Sequence, residues 1–317
     1  MSHLQFVNEL REGEYVHTQL AIRKKYGIRE YRNRFGKFFV LEAGDRTGSI
    51  LVKYWGRDTE TTEKLYEELK EGDVIEVTGN YRKDEQTYIS VDADYDSFMK
   101  IESYDSSRFV PVSENRENTI KEILKIIESV DEVYMSKLLE LFFKNDSFLH
   151  DFEFAPGSAY GAYSYLGGLA EHTLNVTKAC AALAEIYNLN RDFLITAGVL
   201  HDIGRIESYE VDTSIKMRDR AKLLGHTVLS YQIVEEKMRE IVDFPEDTRD
   251  ALLHAIIAHH SPIVDNVPQR IRTREAYILF YVDMLDLSLK EFETEGEDEW
   301  SYSKKLGREI YTGTLQK

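Results

Sequence analysis

Two periodicities divide the chain near residue 110. Before it, apolar residues come in short runs separated by turn residues. Phe38-Phe39-Val40-Leu41-Glu42-Ala43 runs into Gly44-Asp45-Arg46-Thr47-Gly48 and then Ser49-Ile50-Leu51-Val52-Lys53-Tyr54-Trp55, a hairpin pattern. A charged stretch from Thr61 to Lys70 predicts a helix. The turn Glu71-Gly72-Asp73 introduces a strand from Val74 to Tyr81, and Gln86 to Val91 forms a last one. These four strands, one more before them and the inserted helix predict a small closed, five-stranded β-barrel of the oligonucleotide-binding (OB) type over residues 1–110.

Past Pro111 the spacing becomes helical. Ile120, Ile123, Leu124, Ile126 and Ile127 recur within Ser113 to Ser129, and Val133, Met135, Leu138, Leu139, Leu141, Phe142 and Phe143 within Asp131 to Lys144. The pattern predicts a second, all-α domain over residues 111–317, helical nearly throughout to Leu289. Its one long break is expected from Asp151 to Gly168, which holds Pro156 and four glycines and delivers the chain to Glu171-His172-Thr173. A loop at that point is placed to shape a substrate mouth.

A length of 317 residues suffices for two such cores. No apolar stretch approaches the ~20 residues that cross a bilayer, and Met1-Ser2-His3-Leu4 lacks the basic and apolar segments of a signal peptide. The expected location is the cytoplasm, with no membrane partner. Cys180, the single cysteine, cannot form an internal disulfide and reads as a packed core residue.

The formal charge of −17 opposes indiscriminate coating of nucleic acid, so contact with a polyanion has to be local. One segment provides for it: Arg23, Lys24, Lys25, Arg29, Arg32, Arg34 and Lys37 crowd together with Glu30 as the only acid. Arg23, Lys24, Lys25, Arg32, Arg34 and Lys37 are expected to meet phosphates of single-stranded RNA or DNA. Phe38, Tyr54, Trp55 and Tyr88 are expected to stack on bases, with Tyr31 and Phe35 as further candidates. A small barrel also fills its own interior with such aromatics. The acidic run Glu291, Glu293, Glu295, Glu297, Asp298 and Glu299 reads as a solvated linker.

The candidate chemistry lies in the helical half. His172, the pair His201-Asp202, His226, the pair His259-His260 and Asp283 take five of the nine histidines, each in or beside an apolar run that reads as a helix. Neutral imidazoles and carboxylates are ligands shared by Mn, Fe, Co, Ni and Zn, and the lack of thiolates disfavours a structural zinc site. Adjacent residues are about 100° apart on a helix, so the two pairs can share a metal only at helix termini. Asp202 has two oxygens and could bridge two ions. A buried Asp283 among Tyr281, Val282, Met284 and Leu285 would be costly without a cation or a donor. A metal-dependent phosphohydrolase site is the expectation.

The stretches Gly167-Gly168-Leu169-Ala170-Glu171-His172-Thr173, Gly198-Val199-Leu200-His201-Asp202-Ile203-Gly204-Arg205 and Leu252-Leu253-His254-Ala255-Ile256-Ile257-Ala258-His259-His260-Ser261 resemble the HD-domain metal-dependent phosphohydrolases, and more specifically the YhaM-type 3′-to-5′ exoribonucleases. That family carries an OB barrel ahead of its HD domain, so the resemblance runs from about Val7 to Leu289. It implies an exonuclease that trims single strands from the 3′ end with divalent cations, two ions with manganese foremost and Co, Fe, Ni or Mg as the others. On this reading His172, His201, Asp202 and Asp283 hold one ion, and Asp202, His226 and one or both of His259 and His260 hold a second. Arg205, with Lys178 or Lys222, would orient the phosphodiester. Two departures stand out: Ala162-Tyr163 occupies the place of the family's usual His-His pair, and Arg205 replaces a lysine. His254 is turned away from the ligand face of its helix, and His3, His17 and His150 have no partner pattern. HD domains often expose an apolar face, which would fit a homo-oligomer. Other readings are an HD phosphohydrolase of nucleotides or cyclic dinucleotides, and a single-strand-binding protein with a structural metal site.

Overall fold

The computed structural model describes residues 4–32, 35–84, 86–260, 270–294, 299–303 and 306–313; His3, Arg34, Ser261, Glu295, Glu297 and Asp298 lie outside them. The chain divides into two compact units, Met1–Pro111 with Val211–Ser214, and Val112–Glu210 with Ile215–Lys317.

The first unit is a β-sheet with one helix: β1 (Tyr15–Glu30), β2 (Lys37–Asp45), β3 (Gly48–Trp55), α1 (Thr59–Glu68), β4 (Val74–Lys83), β5 (Thr87–Asp92) and β6 (Phe98–Ile101). The strand order is β1-β2-β3-β5-β4-β6, with β3 and β5 parallel. Strand β1 is long enough to serve two neighbours. Tyr15 to Ala21 pair with β4, and Ala21 to Glu30 pair with β2, so the ladder returns to its first strand. Register shifts between Ile22 and Lys24 and between Lys25 and Ile28 interrupt the β1–β2 ladder, the irregularity by which a strand bends. Alternation sends Leu20, Ile22, Phe39, Leu41, Ile50, Val52, Ile75, Val77, Ile89 and Val91 into the core. The short β6, paired to β4, is a sixth strand beyond the five expected. Asp58 caps α1 by accepting from the Thr61 amide at 2.9 Å.

The second unit is mainly helical: α2 (Arg116–Ile127), α3 (Val133–Phe143), α4 (Asp146–Phe154), α5 (Gly168–Tyr187), α6 (Arg191–Leu200), α7 (Arg205–Ser208), β7 (Tyr209–Val211), β8 (Ile215–Met217), α8 (Asp219–Leu224), α9 (His226–Met238), α10 (Glu246–Ala258), α11 (Arg274–Thr294), β9 (Trp300–Ser303) and β10 (Arg308–Tyr311). It is not wholly α. The hairpins β7–β8 and β9–β10 have strands of three and four residues, too short to impose a visible period on the sequence. The expected break at Asp151 starts later, because α4 continues to Phe154. Asn145 caps that helix, and Phe148 and Phe152 pack on Phe142 and Phe143, which holds its last turns in place. Helix α6 is buried from Phe193 to Leu200, as a helix apolar on all sides should be. Cys180 is fully buried in the same core, and desolvation, with Asp283 nearby, pushes its thiol up to about 12. No helix among the described residues is long and apolar enough to cross a membrane.

Candidate metal centre and nucleic-acid face

Five helices deliver the seven candidate ligands. His172 lies in the second turn of α5, His201 and Asp202 follow the last residue of α6, His226 opens α9, His259 and His260 follow α10, and Asp283 sits midway along α11. They form two groups, His172 with His201 and Asp283, and Asp202 with His226, His259 and His260. Both carboxylates face both groups. Asp202 Oδ2 is 3.6 Å from Nε2 of His172 and of His201, while its Oδ1 is 3.2 Å from His226 Nε2 and 3.5 Å from His259 Nε2. Asp283 Oδ1 is 3.1 Å from His172 Nε2, and its Oδ2 is 3.4 Å from His260 Nδ1.

The imidazole tautomers are set from outside. Nδ1 of His201 donates to the Gly198 carbonyl at 2.8 Å, and Nδ1 of His259 to the Ile256 carbonyl at 2.5 Å. A carbonyl only accepts, so both rings turn an Nε2 lone pair toward the centre. Burial lowers the pKa of His201 to about 4, and burial with the neighbouring His259 lowers that of His260 to about 3, so both are neutral. His226 is lowered by burial and by Arg205. Burial also acts downward on His172, but Asp283 and Asp286 outweigh it and hold this ring up at about 9. A proton and a cation therefore compete for its Nε2. Asp202 stays ionised because Arg205 and the surrounding histidines outweigh its desolvation.

The set fits a divalent cation on its own chemistry. Asp202 Oδ1, His259 Nε2 and both carboxylate oxygens of Asp283 are buried without a hydrogen-bond partner. Each such atom costs about 1–3 kcal/mol if nothing pairs with it. Lone pairs and anionic oxygens converging in this way are what a cation satisfies and what a hydrophobic core avoids.

Arg205 is built into the floor of this site. Its Nε donates to Asp202 Oδ2 at 2.5 Å and its Nη1 to the Gly157 carbonyl at 2.6 Å, while Nη2 lies 3.4 Å from His226 Nε2. Gly204 permits the arrangement. A Cβ there would stand 2.4 Å from the His226 carbonyl oxygen and 2.4 Å from the Ser230 amide nitrogen, so only glycine allows this turn to approach α9. Gly204→Ala is therefore expected to separate Asp202 from His226, lowering stability by about 1–3 kcal/mol as overpacking does and weakening Mn²⁺ binding; a thermal melt and a metal titration check both.

The remaining candidates lie outside the cluster. Lys178 pairs with Glu122, and Lys222 with Asp219 at 2.9 Å. His254 accepts from the Arg272 amide at 3.0 Å, His17 meets Glu76 at 2.8 Å, and His150 packs on Phe154. Of the neighbours of Asp283, Val282 is buried but Tyr281, Met284 and Leu285 face solvent. Asp286, one turn beyond Asp283 on the same face of α11, was missed in the sequence. Its signal was the Asp-x-x-Asp spacing.

On the first unit, the outward side chains of β2 and β3 form an aromatic surface. Tyr31, Phe38 and Trp55 contact one another with ring centroids 4.9–6.0 Å apart. Lys53 lies over the Tyr88 ring at 3.5 Å, and a groove of about 620 Å³ runs past Arg29, Val40, Glu42, Lys53 and Thr87. Phe35 and Arg32 are exposed, and Lys24 sits over Tyr26. Other predicted contacts are engaged within the fold. Lys25 donates to the carbonyls of Tyr66 and Leu69 at the end of α1, Arg23 to those of Thr213 and Phe109, and Lys37 to Glu63. Tyr54 packs on Phe39 and Phe98 at the core.

A family model described as HD domain matches residues 169–288, and one described as OB-fold nucleic acid binding domain matches residues 22–95. Among curated relatives, the 3′-5′ exoribonuclease YhaM of Shouchella clausii is 26% identical over 288 residues, covering 88% of this chain and 85% of that protein. YhaM of Bacillus subtilis is 25% identical over 293 residues, covering 87% and 86%. A solved domain of replication protein A from Methanococcus maripaludis is 24% identical, aligned to 31% of this chain and 97% of its own at a TM-score of 0.25. The chain thus carries an OB-fold followed by a divalent-metal-binding HD domain, and over most of its length it is homologous to proteins named 3′-5′ exoribonuclease YhaM.

Proposed function

We propose that this protein is a metal-dependent exonuclease that removes nucleotides from the 3′ end of single-stranded nucleic acid, RNA in preference to DNA. The observation that carries the reading is the convergence of seven His and Asp side chains, with buried ligand atoms of Asp202, His259 and Asp283 left without a hydrogen-bond partner, in a chain that also presents outward aromatic and basic groups on an OB-fold. The names of the relatives support the 3′-to-5′ direction and RNA.

His172, His201, Asp202 and Asp283 would hold one cation, and Asp202, His226, His259 and His260 a second, manganese foremost with Co, Fe, Ni or Mg as alternatives. Bound divalent ions bring the pKa of a water toward neutrality and neutralise charge on a phosphodiester. Asp202 remains ionised and presents an oxygen to each group. Arg205 fixes that carboxylate and places a permanent positive charge beside the position a phosphate would take. Tyr31, Phe38, Trp55 and Lys53 would hold the strand by stacking and charge. The exposed apolar stripe of Tyr277, Tyr281, Leu285 and Leu289 on α11 supports self-association.

The test is a denaturing-gel time course on 5′-labelled RNA and DNA of one sequence, with Mn²⁺, Mg²⁺ or chelator. A metal-dependent ladder shortening from the 3′ end is expected, faster on RNA. Intact oligomers alongside hydrolysed nucleotides or cyclic dinucleotides would sink the exonuclease reading. Phe38→Ala combined with Trp55→Ala should weaken binding of a fluorescent single strand by about 1–3 kcal/mol for each stacked base lost, while cleavage of a dinucleotide stays unchanged.

A further inference from the structure

His172 differs from the other two rings whose tautomers are fixed. His201 and His259 donate Nδ1–H to backbone carbonyls, whereas His172 Nδ1 lies 2.7 Å from Oδ2 of the Asp286 carboxylate. That carboxylate is itself held. The Tyr163 hydroxyl donates to the same oxygen at 2.7 Å, and Asn175 Nδ2 donates to the Tyr163 oxygen at 3.1 Å, which directs the phenolic proton onto Asp286.

The local backbone is built around this phenol. Tyr163 is buried, its ring centroid 5.2 Å from that of His172, and its φ of 62° lies in the left-handed region that a bulky side chain rarely adopts. Such a conformation costs of the order of 1–3 kcal/mol and persists only where surrounding structure enforces it. The hydrogen bonds of its hydroxyl and the Gly157 amide, which donates to the Tyr163 carbonyl at 2.9 Å, hold it, and two glycines leave the room it needs. A Cβ at Gly157 would stand 2.6 Å from the Tyr163 Cβ, and a Cβ at Gly168 would stand 2.3 Å from the Tyr163 carbonyl oxygen. This loop carries Ala162-Tyr163 in the place where the sequence departs from the resembled family's usual His-His pair.

We propose that Tyr163 and Asp286 are positioning residues for His172. Together they fix its Nδ1–H tautomer, aim Nε2 at Asp283 and His201, and through the carboxylate charge make it a stronger donor to a cation. The inference rests on the reading of His172 as a cation ligand. A carboxylate behind a ligating imidazole raises its basicity, and losing such a partner typically costs 10–100-fold in metal affinity. Tyr163 prevents Asp286 from rotating away, so its removal acts in the same direction with a smaller effect.

The test is calorimetric titration of the full chain with Mn²⁺, together with the visible spectrum of the Co²⁺-loaded protein. It compares wild type with Asp286→Ala, Asp286→Asn, Tyr163→Phe and His201→Ala. The expectation is an affinity about 10–100-fold lower for Asp286→Ala, an intermediate value for Asp286→Asn, a smaller loss for Tyr163→Phe, and altered Co²⁺ bands in all three. Should Asp286→Ala fail to fold, the near-isosteric Asp286→Asn and Tyr163→Phe carry the comparison. Asp286 and Tyr163 variants that bind Mn²⁺ as wild type does, with unchanged Co²⁺ spectra and with His201→Ala impaired, overturn the positioning role alone. A wild type that binds no Mn²⁺, or His201→Ala binding as wild type does, overturns the metal assignment and this inference with it.

Discussion

Asp202→Asn should lower Mn²⁺-dependent shortening of a single strand by more than the 10–100-fold typical of losing an outer partner of a metal ligand, because Asp202 is itself a candidate ligand that presents one oxygen to His172 and the other to His226. Asparagine is the informative replacement. Asp202 is fully buried and paired with Arg205, itself nearly buried, so Asp202→Ala would leave an unpaired guanidinium at a cost of about 3–5 kcal/mol. The amide keeps an acceptor for Arg205 while removing the charge. The measurement is the initial cleavage rate, with circular dichroism as the control for fold. Near wild-type turnover in purified, metal-loaded Asp202→Asn would remove this carboxylate from the chemistry.

Mn²⁺ at 100 times its Kd should stabilise the HD domain by about 2.7 kcal/mol. At roughly 2–4 °C per kcal/mol for a domain of this size, its unfolding midpoint should rise by about 5–11 °C. Chelator should reverse the rise, and Asp283→Asn, which neutralises the other carboxylate facing both groups, should abolish most of it. The physical source is the set of orphaned buried atoms at Asp202, His259 and Asp283. Identical melting curves with Mn²⁺ and with chelator would show that these atoms are satisfied in some other way.

The seven candidate ligands were legible because each is a polar residue in or beside an apolar helical run, where a residue serving only solubility is out of place. The helix ends were legible too: α6 stops at Leu200 and α10 at Ala258, where the His-Asp and His-His pairs begin. Their support was not. Asp286 meets His172 across 114 positions, and directly after Met284 and Leu285, which face solvent, an aspartate looks like surface charge. Tyr163 stood out only as a departure from a family pattern, since nothing in the sequence announces a left-handed tyrosine wedged between glycines. The basic segment misled in a different way. Charge counting registers Arg23, Lys25 and Lys37 as free cations, but it cannot see that carbonyls and Glu63 already accept their protons. The short hairpins escaped for want of length. A three-residue strand such as β7 carries one alternation at most.

The scattering of the ligands over five helices between His172 and Asp283 also bears on how the chain folds. An unfolded chain offers a cation only the isolated pairs His201-Asp202 and His259-His260, and the full set exists only when distant helices have docked. Cation binding therefore acts on contacts of high sequence separation, which form late. Interactions absent from the transition state slow unfolding and leave the folding rate nearly unchanged. Metal should accordingly lengthen the lifetime of the folded HD domain more than it hastens its formation, and protection from proteolysis would follow the metal content of the protein.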